Sequence, residues 1–207
     1  EWRFGFDKLD RWCDMALKRG VEYFEISHLF TQWGARHAPK IIGYENGEYK
    51  KFFGWETDSL SDEYKSFLRR FLKEFIAHMK GLGLDKRCIF HVSDEPRAED
   101  IENYRAVKEN ISDILDGYIV ADALSDIAFY KEGLCKNPIP GCDHMEPFLE
   151  LIPKNLWTYY CCSQSVKVSN RFIAMSLSRT RIIGVQMWKF NVTGFLQWGY
   201  NFYSSQF

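Results

Sequence analysis

Between residues 61 and 121 the chain alternates twice between a helix-period apolar pattern and a short apolar run, and this restricts the fold more than any other feature. Ser61 is a predicted N-cap, after which Tyr64, Phe67, Leu68, Phe71, Leu72, Phe75, Ile76 and Met79 fall on one face of a helix that stops before Gly81. Residues 88–92 read as a buried strand, Ile101, Tyr104, Val107 and Ile111 as the inner face of a second helix, and 118–121 as the next strand. Strands joined through helices pair in parallel, so the expected class is α/β with a parallel sheet.

The rest of the chain continues the alternation. Phe6, Leu9, Trp12, Cys13, Ala16 and Leu17 form one helical face ended by Gly20, and 21–27 reads as a strand. A short helix is predicted over 127–130, a stunted strand within 137–142, a helix over 145–151, and strands over 156–162 and 194–200. The stretch 171–190 fits a strand or a helix. Only a few residues separate it from 194–200, whereas a parallel crossover needs about a dozen, so most of it is predicted helical, with Gly184 costing about 1 kcal/mol. Six strands result. Residues 28–60 make an unusually long connection, within which 40–53, centred on Asn46-Gly47, predicts a β-hairpin with a type I′ turn. Such an insertion either overhangs an active-site face or covers a sheet edge. A chain of 207 residues, 46% hydrophobic, fits a single domain over 1–207.

Charge and cysteine usage narrow the partners. Residues 151–207 hold no Asp or Glu but carry Lys154, Lys167, Arg171, Arg179, Arg181 and Lys189, so this part is +6 and, against a total of -1, the first 150 residues are -7. The six cations are scattered between apolar residues without a cluster, which argues against nucleic-acid binding. The six cysteines form no CxxC, and Cys135, Cys142 and His144 lack structural-zinc spacing, so free thiols and no metal are expected. No Gly-rich phosphate loop or HExxH occurs, and no cofactor is expected. No apolar run is long enough for a membrane span, and no signal peptide is visible. Free thiols favour the cytoplasm, although the chain begins at Glu1 without Met and an N-terminal part is expected outside it. Oligomeric state is not legible.

Two adjacent carboxylates, Asp94 and Glu95, stand where the 88–92 run stops, and Pro96 forbids its continuation. Parallel α/β enzymes carry catalytic groups at such strand ends. Alternatively the pair caps the next helix, since Glu99, Asp100 and Glu102 also complement a helix dipole. Parity favours catalysis: Ile89, His91, Ser93 and Glu95 share one strand face, and a polar file ending in Glu suits the mouth of a barrel interior.

The Ser93-Asp94-Glu95-Pro96 strand end, the run Leu156-Trp157-Thr158-Tyr159-Tyr160-Cys161-Cys162, Asn170-Arg171-Phe172, and Gly194-Phe195-Leu196-Gln197-Trp198-Gly199-Tyr200-Asn201 together resemble the catalytic domain of glycoside hydrolase family 123. They resemble more closely the large group of related bacterial domains long labelled only as of unknown function. The likeness runs from about residue 20 to the C-terminus. It implies a TIM-like (β/α)8 barrel in which Asp94-Glu95 ends the fourth strand, 21–27 is the third and 194–200 the eighth. The chain would then supply strands three to eight, with the first two missing. It also implies an exo-acting β-N-acetylgalactosaminidase that uses the substrate's own 2-acetamido group as nucleophile. Glu95 would be the general acid and later base, and Asp94 would orient the acetamide and stabilise the oxazolinium intermediate.

One feature of the residues agrees independently. An ordinary retaining glycosidase needs a second carboxylate about 5–5.5 Å from the first, often from a late barrel strand, and residues 151–207 have none to offer. They offer Trp157, Tyr159, Tyr160, Trp198 and Asn201, which can wall a sugar pocket and hydrogen-bond a polarised acetamide. Trp157 and Trp198 also suit core plugs, with Trp198, at the last strand's end, better placed for a sugar. His28 and His91 reach substrate hydroxyls or serve as satisfied structural groups. Asp122, closing the 118–121 strand, ligates a hydroxyl or caps the helix beginning near Ser125. The expected partner is therefore a glycan or glycolipid end. Competing functions are a glycosidase of other sugar specificity and a non-catalytic carbohydrate-binding or structural domain, and the intact carboxylate pair argues against the latter.

Overall fold

The computed structural model describes residues 1–151 and 154–197. In chain order the elements are α1 (Asp7–Leu17), β1 (Phe24–Glu25), β2 (Ile41–Glu45), β3 (Glu48–Phe53), α2 (Asp62–Gly81), β4 (Cys88–Phe90), α3 (Ile101–Leu115) and β5 (Ile119–Ala123). There follow α4 (Ala128–Lys131), β6 (Asn137–Ile139), α5 (Glu146–Leu151), β7 (Leu156–Tyr159), α6 (Leu177–Lys189) and β8 (Val192–Leu196). β1, β4, β5 and β6 lie side by side in that order, all parallel, and β7 and β8 form a second parallel pair. A parallel bridge between Gly141 and Tyr159, with Cys142 N donating to Tyr159 O at 2.8 Å, carries the order from β6 to β7. Parallel strands joined by helices are thus shown.

The helices form where the patterning puts them. Ser61 accepts from Tyr64 N at 3.4 Å to cap α2, which buries Tyr64, Phe67, Leu68, Leu72, Phe75, Ile76 and Met79 and ends at Gly81, one residue beyond expectation, with Gly83 (φ 70) taking the left-handed turn after it. Many aromatics are spent here rather than at a site: Trp2, Phe4 and Phe6 interleave with Phe67, Phe71 and Phe75 at ring separations of 4.8–6.2 Å. The hairpin of β2 and β3 turns on Asn46 (φ 52) and Gly47 (φ 86), the two positive φ values a type I′ turn requires, and packs Phe52 and Phe53 against Trp2 and α2.

Several expectations need adjustment. Within α1 only Cys13 and Ala16 are buried, and Trp12 is half exposed with its edge against Phe24. The strand predicted over 21–27 is reduced to Phe24–Glu25, and beyond it single bonds, such as Ile26 N to Ile89 O at 2.8 Å, replace regular pairing. The strand predicted over 194–200 starts at Val192, and an irregular register at Leu156/Trp157 brings Trp157 opposite Gly194. Asp122 lies inside β5 rather than after it. The cysteines Cys13, Cys88, Cys135, Cys142, Cys161 and Cys162 are free, and no helix among the described residues is long and apolar enough to cross a membrane.

The sheet has two faces. Phe90, Val92 and the helices share the larger core, whereas Ala121, Ala123, Ile139 and Tyr159, with Ile89, Trp157, Cys161 and Leu196 against them, form a separate cluster on the other face. The carboxylate pair stands at the C-terminal rim of this second face.

Candidate active site

Regular pairing of β4 ends at Phe90, but the chain stays clamped on both sides up to the carboxylates. On one side Leu29 N donates to His91 O at 2.9 Å, Phe30 N to Val92 O at 3.0 Å and Trp33 N to Asp94 O at 2.8 Å, while Ser93 Oγ donates to Thr31 O at 2.8 Å. On the other, Asp122 Oδ1 accepts from Val92 N at 2.8 Å and Ser93 N at 3.3 Å, and Asp122 Oδ2 accepts from Tyr104 Oη at 2.5 Å. Glu95 N donates to Ala123 O at 2.9 Å. These bonds hold Glu95 at φ 47, a left-handed conformation that costs a non-glycine residue about 1–2 kcal/mol and marks functional sites when the surroundings enforce it.

Tyr159, the last residue of β7, donates from Oη to Glu95 Oε1 at 2.5 Å, and Cys161 Sγ lies 3.8 Å from the same oxygen. Burial, and then this bond to a carboxylate, pushes the Tyr159 hydroxyl far above its ordinary range, so it remains a donor. Glu95 and Tyr159 open onto a cleft of ≈ 440 Å³ whose lining also includes Ser125, Asp126, Asp143 and Gln164. Burial first, then the charges of Glu95 and Asp122, push the Asp94 carboxyl up to about 6, against an opposing pull from His91. His91 itself is 2% exposed, with Nε2 3.1 Å from Glu25 Oε1 and Nδ1 3.7 Å from Asp122 Oδ1. Neither contact is aligned as a hydrogen bond, so the attraction is that of close ion pairs. Burial works against the imidazolium, yet the two carboxylates outweigh it and raise His91 to about 9. His28, its ring 5.1 Å from that of His91, is held below its usual range by burial and then by the His91 charge. Protonation is thus favoured on His91 and disfavoured on the neighbouring His28.

The family description "Glycoside hydrolase 123, catalytic domain" matches residues 1–206. The chain belongs to glycoside hydrolase family 123. Among solved structures it is similar to a family 123 glycoside hydrolase from Clostridium perfringens, described in work on glycolipid glycan hydrolysis, with a TM-score of 0.68 and 15% identity. That likeness is one of fold. It covers 95% of this chain and 36% of that one, so this chain spans little more than a third of the other's length. No curated protein matches it.

Within this family 123 chain the residues singled out from sequence fall into three groups. Glu95 and Tyr159 meet at the rim with Asp94 next to Glu95, and His28, His91 and Asp122 lie close to one another behind them. Asp122 neither reaches the cleft nor caps a helix: it is 0% exposed, both its oxygens are engaged, and the first turn of α4 is bonded by Asp126, whose Oδ1 accepts from Ala128 N at 2.9 Å. Trp157 and Tyr160 are not gathered with Glu95. The Trp157 indole, two residues before Tyr159 on the same strand face and so deeper than the rim, lies over Gly194, where a Cβ would come within 2.2 Å of it, and lines a separate cavity of ≈ 470 Å³ with Ile89, Ala121 and Ile139. Tyr160 points to the opposite strand face, 6% exposed, with Phe195 at a ring separation of 4.8 Å. Trp198 and Asn201 lie outside the described residues.

Other contributors carried little signal. Gln164 Oε1 accepts from Cys161 N at 2.7 Å while Nε2 donates to Asp143 Oδ1 at 3.0 Å, and Asn170 Nδ2 donates to Cys161 O and Gln164 O, both at 2.7 Å. These bonds shape the loop after β7 around the cleft. Asn170 was visible in the Asn170-Arg171-Phe172 tripeptide, but Gln164 and Asp143 meet across a loop no periodicity describes. Tyr104 reads from its spacing as a helix-core residue, and nothing in that spacing points to the partner of its hydroxyl, Asp122. Among the described residues no group of three His, Cys, Asp or Glu side chains is arranged to hold a metal ion.

Proposed function

We propose that this chain carries the acid/base machinery of a retaining glycoside hydrolase that removes a terminal 2-acetamido sugar, β-N-acetylgalactosamine-like, with the substrate's acetamide as nucleophile. The observation that carries the reading is the Asp94-Glu95 pair at a parallel strand end, with Glu95 held left-handed and its carboxyl oriented by Tyr159. In the first step the acetamide oxygen attacks C1 while Glu95 gives its proton to the leaving oxygen, yielding an oxazolinium ion and an alcohol. The Asp94 carboxylate accepts from the acetamide N–H and offsets the positive charge of that ion. In the second step the Glu95 carboxylate takes a proton from the water that attacks C1, the acetamide re-forms, and configuration is retained. His91, raised to about 9 by Asp122 and Glu25, offsets part of the repulsion that Glu95, Asp122 and Glu25 exert on the Asp94 carboxylate.

The strand order supports a barrel over residues 1–207 with 40–53 as an insertion. β1, β4, β5, β6, β7 and β8 follow one another without the reversal that marks a doubly wound sheet, as strands three to eight of a (β/α)8 barrel would, with the first two strands missing. One observation favours a second mechanism. Asp126 and Asp143 line the same cleft as Glu95, from the loops after β5 and β6, so a second carboxylate is at hand for ordinary retaining or inverting chemistry. Rates on paired aryl β-glycosides, with 2-acetamido or 2-hydroxy groups, separate the readings. Substrate-assisted chemistry predicts turnover of the 2-acetamido member alone. Equal turnover of both, lost in Asp143→Asn or Asp126→Asn, supports the second mechanism, and binding without turnover of any member defeats both.

A further inference from the structure

The connection between β1 and β2 and the turn after β3 build a feature at the rim that the chemistry above leaves unused. Trp33, Gly34 and Ala35 are three successive residues in left-handed conformations, with φ values of 58, 108 and 57. Two non-glycine residues in that region persist only where the surroundings over-determine them. Here they do: Trp33 N donates to Asp94 O at 2.8 Å, Asn103 Nδ2 to Gly34 O at 2.7 Å, Ser59 N to Arg36 O at 3.0 Å and Ala38 N to Thr57 O at 3.0 Å. Gly34 is packed so closely on Asp100 that a Cβ would lie 2.3 Å from its carboxylate. The strained turn presents one indole to solvent, and the turn after β3 presents a second beside it. Trp33 is 54% exposed and Trp55 is 52% exposed, their rings 6.4 Å apart at 75°, and the His37 ring lies nearly parallel to Trp55 on a buried Nδ1 that has no hydrogen-bond partner among the described residues.

We propose that Trp33 and Trp55 form a second sugar-binding subsite that takes the pyranose ring next to the terminal sugar, on the leaving-group side. The proposal rests on the glycosidase reading of Asp94 and Glu95. An indole face matches the C–H face of a pyranose, and two indoles near a right angle make a corner that contacts a ring on its face and its edge. Arg36, which follows the strained turn and stays half exposed while its Nη2 donates to Asp100 Oδ1 at 2.8 Å, supplies further donors for hydroxyls. The backbone bond from Trp33 to Asp94 ties the corner to the carboxylate pair, so the long 28–60 connection acts as a specificity element rather than a sheet cover. Exposed indoles on a mobile loop would order only on binding, whereas this corner is fixed beforehand by loop-to-loop bonds, which spares that entropic cost.

The test compares kcat/KM for a trisaccharide ending in the 2-acetamido sugar with that for the methyl 2-acetamido-β-glycoside, which lacks a second ring. With full-length protein carrying Trp33→Ala and Trp55→Ala together, the ratio of the two values falls about tenfold through KM, the scale expected of two lost aromatic contacts. Trp33→Tyr with Trp55→Phe recovers most of it. Trp33→Gly, which suits the left-handed backbone, repeats the loss in a variant freed of strain. An unchanged ratio in a folded double variant, or an equal fall on both substrates, overturns the subsite. If the wild type turns over neither substrate, the glycosidase reading has failed and titration of the trisaccharide against tryptophan fluorescence decides the subsite. A saturable shift abolished by Trp33→Tyr with Trp55→Phe supports it, and no shift in the wild type overturns it.

Discussion

Glu95 stands in a backbone conformation that glycine adopts freely, and it is kept there by its own N–H, by the clamped strand end before it and by Pro96 after it. Comparing Glu95→Gly with Glu95→Ala isolates that strain, because both remove the carboxyl and the Tyr159 bond. The glycine variant is expected to be the more stable by about 1 kcal/mol in urea unfolding, with both inactive on unactivated glycosides, and equal stabilities would show that the backbone is unstrained. Asp94 gives the pH dependence. Its carboxyl is pushed up to about 6, and an anion is required beside an oxazolinium ion, so kcat/KM falls about tenfold per unit as pH drops below that value. Asp94→Asn removes this acid limb along with most of the activity, and an unchanged limb in that variant would place the titration elsewhere. Neither the strain nor the shift was legible in the sequence. The adjacent carboxylates were, because Pro96 ends the apolar run in plain view, but φ and desolvation arise only from residues 31–33 and 122–123 folding against them.

Among the elements, β4, β5 and α3 act as one device. Tyr104 on α3 bonds Asp122 on β5, which in turn bonds the amides of Val92 and Ser93 at the end of β4. Tyr104→Phe leaves a buried carboxylate one donor short, and the expected cost is about 1.5–3 kcal/mol of stability. Because the displaced segment leads into Asp94-Glu95, kcat is expected to fall more than KM rises; a pure KM effect would mean that Asp122 touches substrate instead. The elements themselves were legible where periodicity was unbroken. The inward face of α3 and the type I′ hairpin follow from spacing and from Asn46-Gly47, but β1 shrank to two residues and the pairing of β7 with β8 slips between Leu156 and Trp157, which sets Trp157 opposite Gly194. Register shifts leave no trace in a hydrophobic pattern of period two.

At the scale of the whole molecule, parallel strands follow in chain order and place the ends of β4, β5, β6 and β7 around one cleft, so that residues 64 apart in sequence, Glu95 and Tyr159, share a hydrogen bond. The alternation of helix and strand made the parallel sheet legible. The membership of the cleft was not, since Asp126, Asp143 and Gln164 come from loops. The central claim is that Glu95 protonates the departing oxygen of a 2-acetamido glycoside. It is tested most directly by the rates of Glu95→Gln, in full-length protein, on matched 2-acetamido glycosides with methyl and 4-nitrophenyl leaving groups. The account predicts a loss of about 100-fold to 10,000-fold on the methyl glycoside and a much smaller loss of the first step on the activated one. A near-normal rate on the methyl glycoside would contradict it.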